Sequence, residues 1–189
     1  MIGHDLLSCT SSLGIFSFEY EGRNVYLIDT PGFDDTNRTD IETLKAISYY
    51  LSVSYANRVN ISGIVYPHRI SDNRMSGASK KNLTTFESLC GDGTYSNVVI
   101  ATTMWNPAER HDFLHNEQQL LSEASFFGDI CSQGARHFRY AENGGGIAER
   151  EQCAMAIISH LIDVSRLSPV VLQIQFELVD EKRAVDDTE

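Results

Sequence analysis

Strands that alternate with helices predict a three-layer α/β domain, and two features of the sequence carry that prediction. Apolar runs at 24–28, 61–66 and 97–103 have the length and composition of strands. Between them, capping residues open segments whose apolar side chains recur at helical spacing. At 189 residues the chain is one domain's worth, long enough to bury a real core.

The elements follow in order. Ile15 to Tyr20 alternates and is rich in aromatics, and Glu21-Gly22-Arg23 separates it from Asn24–Ile28, which predicts an antiparallel hairpin. Val25, Tyr26, Leu27 and Ile28 are near-continuously apolar, as in a strand buried on both faces of a parallel sheet. Thr30-Pro31-Gly32 breaks that strand, and Thr39-x-x-Glu42 reads as a capping box that opens a helix carrying Ile41, Leu44, Ile47, Leu51 and Tyr55. Ile61 to Tyr66 is a second strand, expected to end at Pro67, and the polar loop His68–Arg74 follows. A helix from about Ser79 to Cys90 has Leu83, Phe86 and Cys90 on one face, and Gly91-Asp92-Gly93 ends it. Asn97 to Thr103 is the third central strand, and Pro107 fits the first turn of a polar helix over 108–125. Arg136 to Tyr140 is a short strand before Asn143-Gly144-Gly145-Gly146, and a helix runs from about Ala148 to Val164.

Ser168 and Pro169 read as an N-cap and a first helical position, with Val171, Ile174 and Leu178 on one face of a closing helix. The chain thus divides into a domain over 1–166 and a carboxy-terminal helix with an acidic tail over 167–189. That helix either packs on its own domain or begins a coiled coil with a partner.

The charge balance of 15 Lys+Arg against 26 Asp+Glu gives −11, which argues against broad attraction to nucleic acid or anionic lipid. A phosphate ligand must therefore be held locally. Four cysteines lie far apart with no Cys-x-x-Cys and no paired histidine spacing, so neither a zinc site nor a disulfide framework is expected. No signal peptide is recognisable, no apolar stretch approaches the ~20 residues that span a bilayer, and a cytoplasmic location is expected. His68, His111 and His115 have no nucleophile–base spacing to any cysteine, which leaves no case for a thiol hydrolase.

The most informative run is 24–36, an apolar strand ending in Asp29-Thr30-Pro31-Gly32. An Asp-x-x-Gly in this position is how P-loop GTPases sense a terminal phosphate. Asp29 would face a Mg²⁺ ion, and Gly32, lacking a Cβ, would let a backbone N–H approach the phosphate.

Three stretches in order make the chain resemble the septin-like and immune-associated group of P-loop GTPases, fungal type. They are Val25–Thr36, His68–Gly77 and Val98–Trp105. The resemblance implies a Ras-like three-layer sheet, GTP and Mg²⁺ as ligands, Thr10 and Asp29 on the metal, and Gly32 at the phosphate. The base-recognition motif falls on Thr103-Met104-Trp105-Asn106. Here Met104 stands where a lysine usually covers the purine, with Trp105 beside it as a possible stacking surface. Asn106 stands where an aspartate accepts both guanine N–H donors, so guanine selectivity should weaken by roughly 1.5–3 kcal/mol.

No Gly-x-x-x-x-Gly-Lys-Ser/Thr occurs in the sequence. The resemblance places that loop upstream of the first switch, with the strand before it in the middle of the sheet, between the strand at Asp29 and that at Ile61–Tyr66. Four lost charged hydrogen bonds would remove about 6–12 kcal/mol. A micromolar complex has only about 8 kcal/mol in total. Tight nucleotide binding by this chain as written is therefore not expected, and the two flanking strands must pair directly or leave their edges open. The chain is expected to be either an amino-terminally incomplete GTPase or a degenerate paralogue.

Phe33 follows Gly32 where Ras-type enzymes orient the attacking water, so no catalytic residue is assigned and hydrolysis would need a partner's group, with Arg69 and Arg74 as candidate donors in trans. Two functions remain open: a Mg²⁺-dependent guanine-nucleotide switch, or a nucleotide-independent interaction module that works through its switch face, by self-association or through the closing helix.

Overall fold

The computed structural model describes residues 13–33, 39–72 and 75–185. β1 (Gly14–Tyr20) and β2 (Arg23–Asp29) pair antiparallel as the sequence predicts, Ile15 opposite Ile28 and Phe18 opposite Val25. Glu21 and Gly22 close the hairpin at φ 49° and 71°, the doubly left-handed geometry that matches strand twist in a two-residue loop.

β3 (Ile64–Arg69), β4 (Val98–Thr103) and β5 (Arg136–Arg139) form a parallel sheet in the order β3-β4-β5. β4 is buried on both faces and separates two apolar layers. On one side Val98 and Ile100 meet Leu83 and Phe86 of α2 (Gly77–Cys90), Phe113 and Leu120 of α3 (Arg110–Ser122) and Ile130 of the short α4 (Gly128–Ser132). On the other, Val99 and Ala101 meet Ile157 and Leu161 of α5 (Ile147–Leu167). Helices on both faces of a parallel sheet give the three-layer α/β fold that the sequence predicts.

α1 (Asp40–Ala56) begins in the expected capping box: Glu42 N–H donates to Thr39 Oγ1 at 3.2 Å, and Thr39 N–H donates to Glu42 Oε2 at 2.9 Å. Its inward face is Thr43, Leu44, Ile47, Ser48 and Leu51, whereas Ile41, expected on that face, is 62% exposed. The hydroxyls of Thr43 and Ser48 are buried with no hydrogen-bond partner among the described residues. An unpaired buried hydroxyl costs about 1–3 kcal/mol, so Thr43→Val, which keeps the shape, is expected to raise the denaturation midpoint in urea. A lowered midpoint at unchanged m-value would contradict the orphaned state of this hydroxyl.

The sheet is where expectation and structure part. β2 is not a strand buried on both faces: Tyr26 is 63% and Leu27 43% exposed, because the hairpin and the parallel sheet are separate and no described strand is hydrogen-bonded between β2 and β3. Of the two outcomes expected for these edges, pairing or staying open, the described residues leave them open. β3 also runs through Pro67 instead of ending there. Ile70 N–H donates to Thr103 O, so alternation points the donor-less Pro67 nitrogen away from β4 to the open edge, where proline breaks no ladder bond.

The carboxy-terminal segment differs too. No helix starts at Ser168. That residue caps α5, and its carbonyl accepts from Asn97 Nδ2 at 3.3 Å. Val170 then bridges Ile61 antiparallel, and Val170, Leu172 and Ile174 are buried at a period of two with Leu51 and Leu89. Helix begins only at α6 (Gln173–Gln175), continues as a π turn over Phe176–Asp180, and packs on α1 and α2. Long-range burial outweighed the local Ser-Pro signal, and Val171 faces outward at 39% exposure.

Candidate functional site

The turn after β2 is held at both sides of its glycine. Pro31 is fully buried, and Phe33 packs against the cluster of Leu51, Leu89, Val170, Leu172 and Ile174. Gly32 between them is exposed, and a Cβ added there would meet nothing within 4 Å. Packing therefore does not demand a glycine, whereas close approach of a ligand to the backbone would. Asp29 is exposed at the carboxyl end of β2, opposite Gly14. Thr10, the other expected metal ligand, lies outside the described residues, as does Arg74. Arg69 pairs with Asp72, its Nη2 donating to Oδ1 at 2.8 Å.

At the carboxyl end of β4, Thr103 Oγ1 donates to the His68 carbonyl at 3.3 Å. Met104 turns outward at φ 59° and is 64% exposed. Trp105 points the other way. It is 8% exposed, its indole N–H donates to Thr102 O at 3.1 Å, and Phe113 meets it edge-on. Asn106 is the N-cap of a short 3₁₀ turn over Pro107–Glu109: its Oδ1 accepts from Ala108 N–H at 3.1 Å, and its Nδ2 donates to Glu109 Oε1 at 2.8 Å. Both polar atoms that could read a base edge are thus engaged within the loop.

An ionic cluster beneath this loop joins it to the loop after β5. Arg139 donates from Nε to Glu117 Oε1 at 2.9 Å and from Nη2 to Oε2 at 2.5 Å, while Nη1 reaches Glu142 at 2.9 Å. Its guanidinium lies 5.3 Å from the Trp105 ring centroid, over the indole face. Glu142 also pairs with Arg110. The turn Asn143–Gly145 is tied by Glu149, whose oxygens accept from Asn143 N–H at 2.8 Å and Gly145 N–H at 3.0 Å; these backbone donors hold its carboxyl below the usual range. Gly144 and Gly145 have φ 111° and 71°, which the tight turn requires. Nothing in the local sequence marks these acidic and basic residues. No local spacing links Glu117 to Arg139, 22 residues away, and only the parallel pairing of β4 with β5 brings their elements together.

His137 lies 3.2 Å from Glu117 and 2.9 Å from Thr102 Oγ1, yet its pKa is lowered, because burial outweighs a carboxylate already neutralised by Arg139. Burial lowers His68 and His160 as well. The unfolded chain therefore binds more protons than the folded one below the ordinary histidine value of about 6.5. Stability should fall as pH drops from about 7 toward 5, and His137→Gln should flatten that slope. Urea melts at several pH values check this; a rise in stability on acidification would contradict it.

No protein-family model matches the chain, and no curated protein matches it. Solved structures do. Toc33 from Arabidopsis thaliana, crystallised as a dimerization-deficient mutant, gives a TM-score of 0.61 at 12% identity, over 90% of this chain and 77% of that one. A structure from work on dimerization in the GTPase activity of the chloroplast translocon components atToc33 and psToc159 gives 0.57 at 13%, over 87% and 73%. The fold is that of a G domain.

Within this G-domain fold the residues expected at the site are split between the end of the separate hairpin, Asp29 and the following Gly32, and the carboxyl end of β4, Thr103 and the following Trp105 and Asn106. The carboxyl ends of parallel strands are where open α/β sheets place ligands. The donor set fits the ligands only in part. An exposed carboxylate is a hard oxygen ligand suited to Mg²⁺, and the space beside Gly32 is open. Asn106 is engaged locally, and the sequence encodes no phosphate-cradling loop.

Proposed function

We propose that the chain is a G-domain protein, or part of one, belonging to a Mg²⁺-dependent guanine-nucleotide switch of the septin-like and immune-associated kind, with weak or no nucleotide binding of its own. The observation that carries this reading is Gly32, exposed between the buried Pro31 and the anchored Phe33 with open space where a Cβ would stand. In this reading Asp29 holds the metal through water and Thr10 contacts it directly. The Gly32 N–H meets the terminal phosphate, and Thr103 to Asn106 border the base. The open edges of β2 and β3 mark where the strand before a phosphate loop would insert. Phe33 is turned into the core, so any hydrolysis would depend on a group from a second molecule. Self-association is consistent with the dimerization described for the structural neighbours.

Equilibrium titration with a fluorescent GTP analogue and Mg²⁺ tests the proposal. Saturable binding that Asp29→Ala abolishes supports the switch. Binding that Asp29→Ala leaves intact overturns the role given to Asp29, and no binding even at millimolar nucleotide favours the second reading, a nucleotide-independent interaction module. The observation behind that second reading is the side chain of Asn106, with both its polar atoms engaged, beside the buried Trp105. Sequencing the 5′ end of the transcript decides whether a phosphate loop is encoded upstream.

A further inference from the structure

Contrary to the expectation of no paired histidine spacing and no zinc site, His111 and His115 are four residues apart, and α3 turns that spacing into proximity. Residues i and i+4 of an α-helix stand one above the other on the same face. Both histidines are exposed, on the outer surface of α3 with Asp112 and Gln118. Among the described residues, no side-chain hydrogen bond or ion pair engages either imidazole. Neighbouring polar groups of α3 are committed instead: Arg110 to Glu142, and Glu117 to Arg139.

We propose that His111 and His115 form a bidentate site for a borderline first-row divalent cation, Zn²⁺, Ni²⁺ or Cu²⁺. Two imidazoles one turn apart offer nitrogen ligands that these ions prefer and that Mg²⁺ and Ca²⁺ do not. Among the described residues no group of three or more His, Cys, Asp or Glu is arranged to hold a metal, so the helix supplies two ligands and water completes the coordination. Asp112, next to His111 on α3, adds favourable charge. Unlike the metal of the proposed switch, this ion needs no nucleotide. His111 is next in sequence to Arg110, whose contacts with Glu142 and Asn143 join the start of α3 to the loop after β5.

The test is calorimetric titration of the tag-free chain with Zn²⁺ and Ni²⁺ at pH 7.5, alongside thermal unfolding with and without each ion. Expected are saturable binding of one ion per chain, a rise in melting temperature, and no response to Mg²⁺. His111→Ala and His115→Ala should each weaken binding by about tenfold or more, since even an outer partner of a metal ligand is worth that much. His4→Ala should leave it unchanged. Binding that survives loss of both α3 histidines, binding lost in His4→Ala, or no binding in the wild-type chain overturns the proposal. Both positions are solvent-facing, so the variants should fold, and unchanged urea melts without metal confirm that.

Discussion

Replacing Arg139 with alanine is expected to cost about 3 kcal/mol of folding stability, the low end for breaking a buried ion pair because the guanidinium is 33% exposed. Glu117 is 5% exposed and receives three of the guanidinium's hydrogen bonds; without Arg139 its carboxylate would stay buried opposite His137 alone. The same change frees one side of Glu142 and uncovers the indole face of Trp105. A double variant, Arg139→Ala with Glu117→Leu, should recover much of the loss, since what destabilises is the unpaired charge and not the absent bridge. Urea unfolding of the four chains of the cycle measures both effects; equal losses in the single and double variants would show that the pair contributes only packing.

Trp105→Ala is expected to cost about 3–5 kcal/mol, as for other buried large aromatics. The side chain fills the space between α3 and the end of β4, against Phe113, with its N–H satisfied by Thr102. This outcome separates two roles that the sequence left open. A stacking platform for a base would be exposed and cheap to remove, whereas a core residue is costly. Because Trp105 is the single tryptophan, its emission reports on itself alone. It should be blue-shifted, poorly quenched by acrylamide, and insensitive to added nucleotide. Strong quenching by a guanine nucleotide would show instead that the indole leaves the core to meet the base. Trp105 and Arg139 touch, so their losses should not add.

The sequence by itself determined what depends on neighbours along the chain. Thr39 and Glu42 build their capping box from residues three apart, Glu21-Gly22 closes a hairpin between strands it immediately joins, and the unbroken apolar run at 98–101 fits the middle of a sheet. Asp29 and Gly32 were legible because strand, break and glycine are consecutive. Tertiary structure alone decided the rest. The separation of the hairpin from the parallel sheet depends on which strands lie between β2 and β3, and the extended path at Val170–Leu172 on the surface offered by Leu51 and Leu89. The inward turn of Trp105 and the Glu117–Arg139–Glu142 cluster arise only when β5 pairs with β4. A local pattern states what a residue can do, but burial and charge pairing between distant segments set which option has the lower free energy.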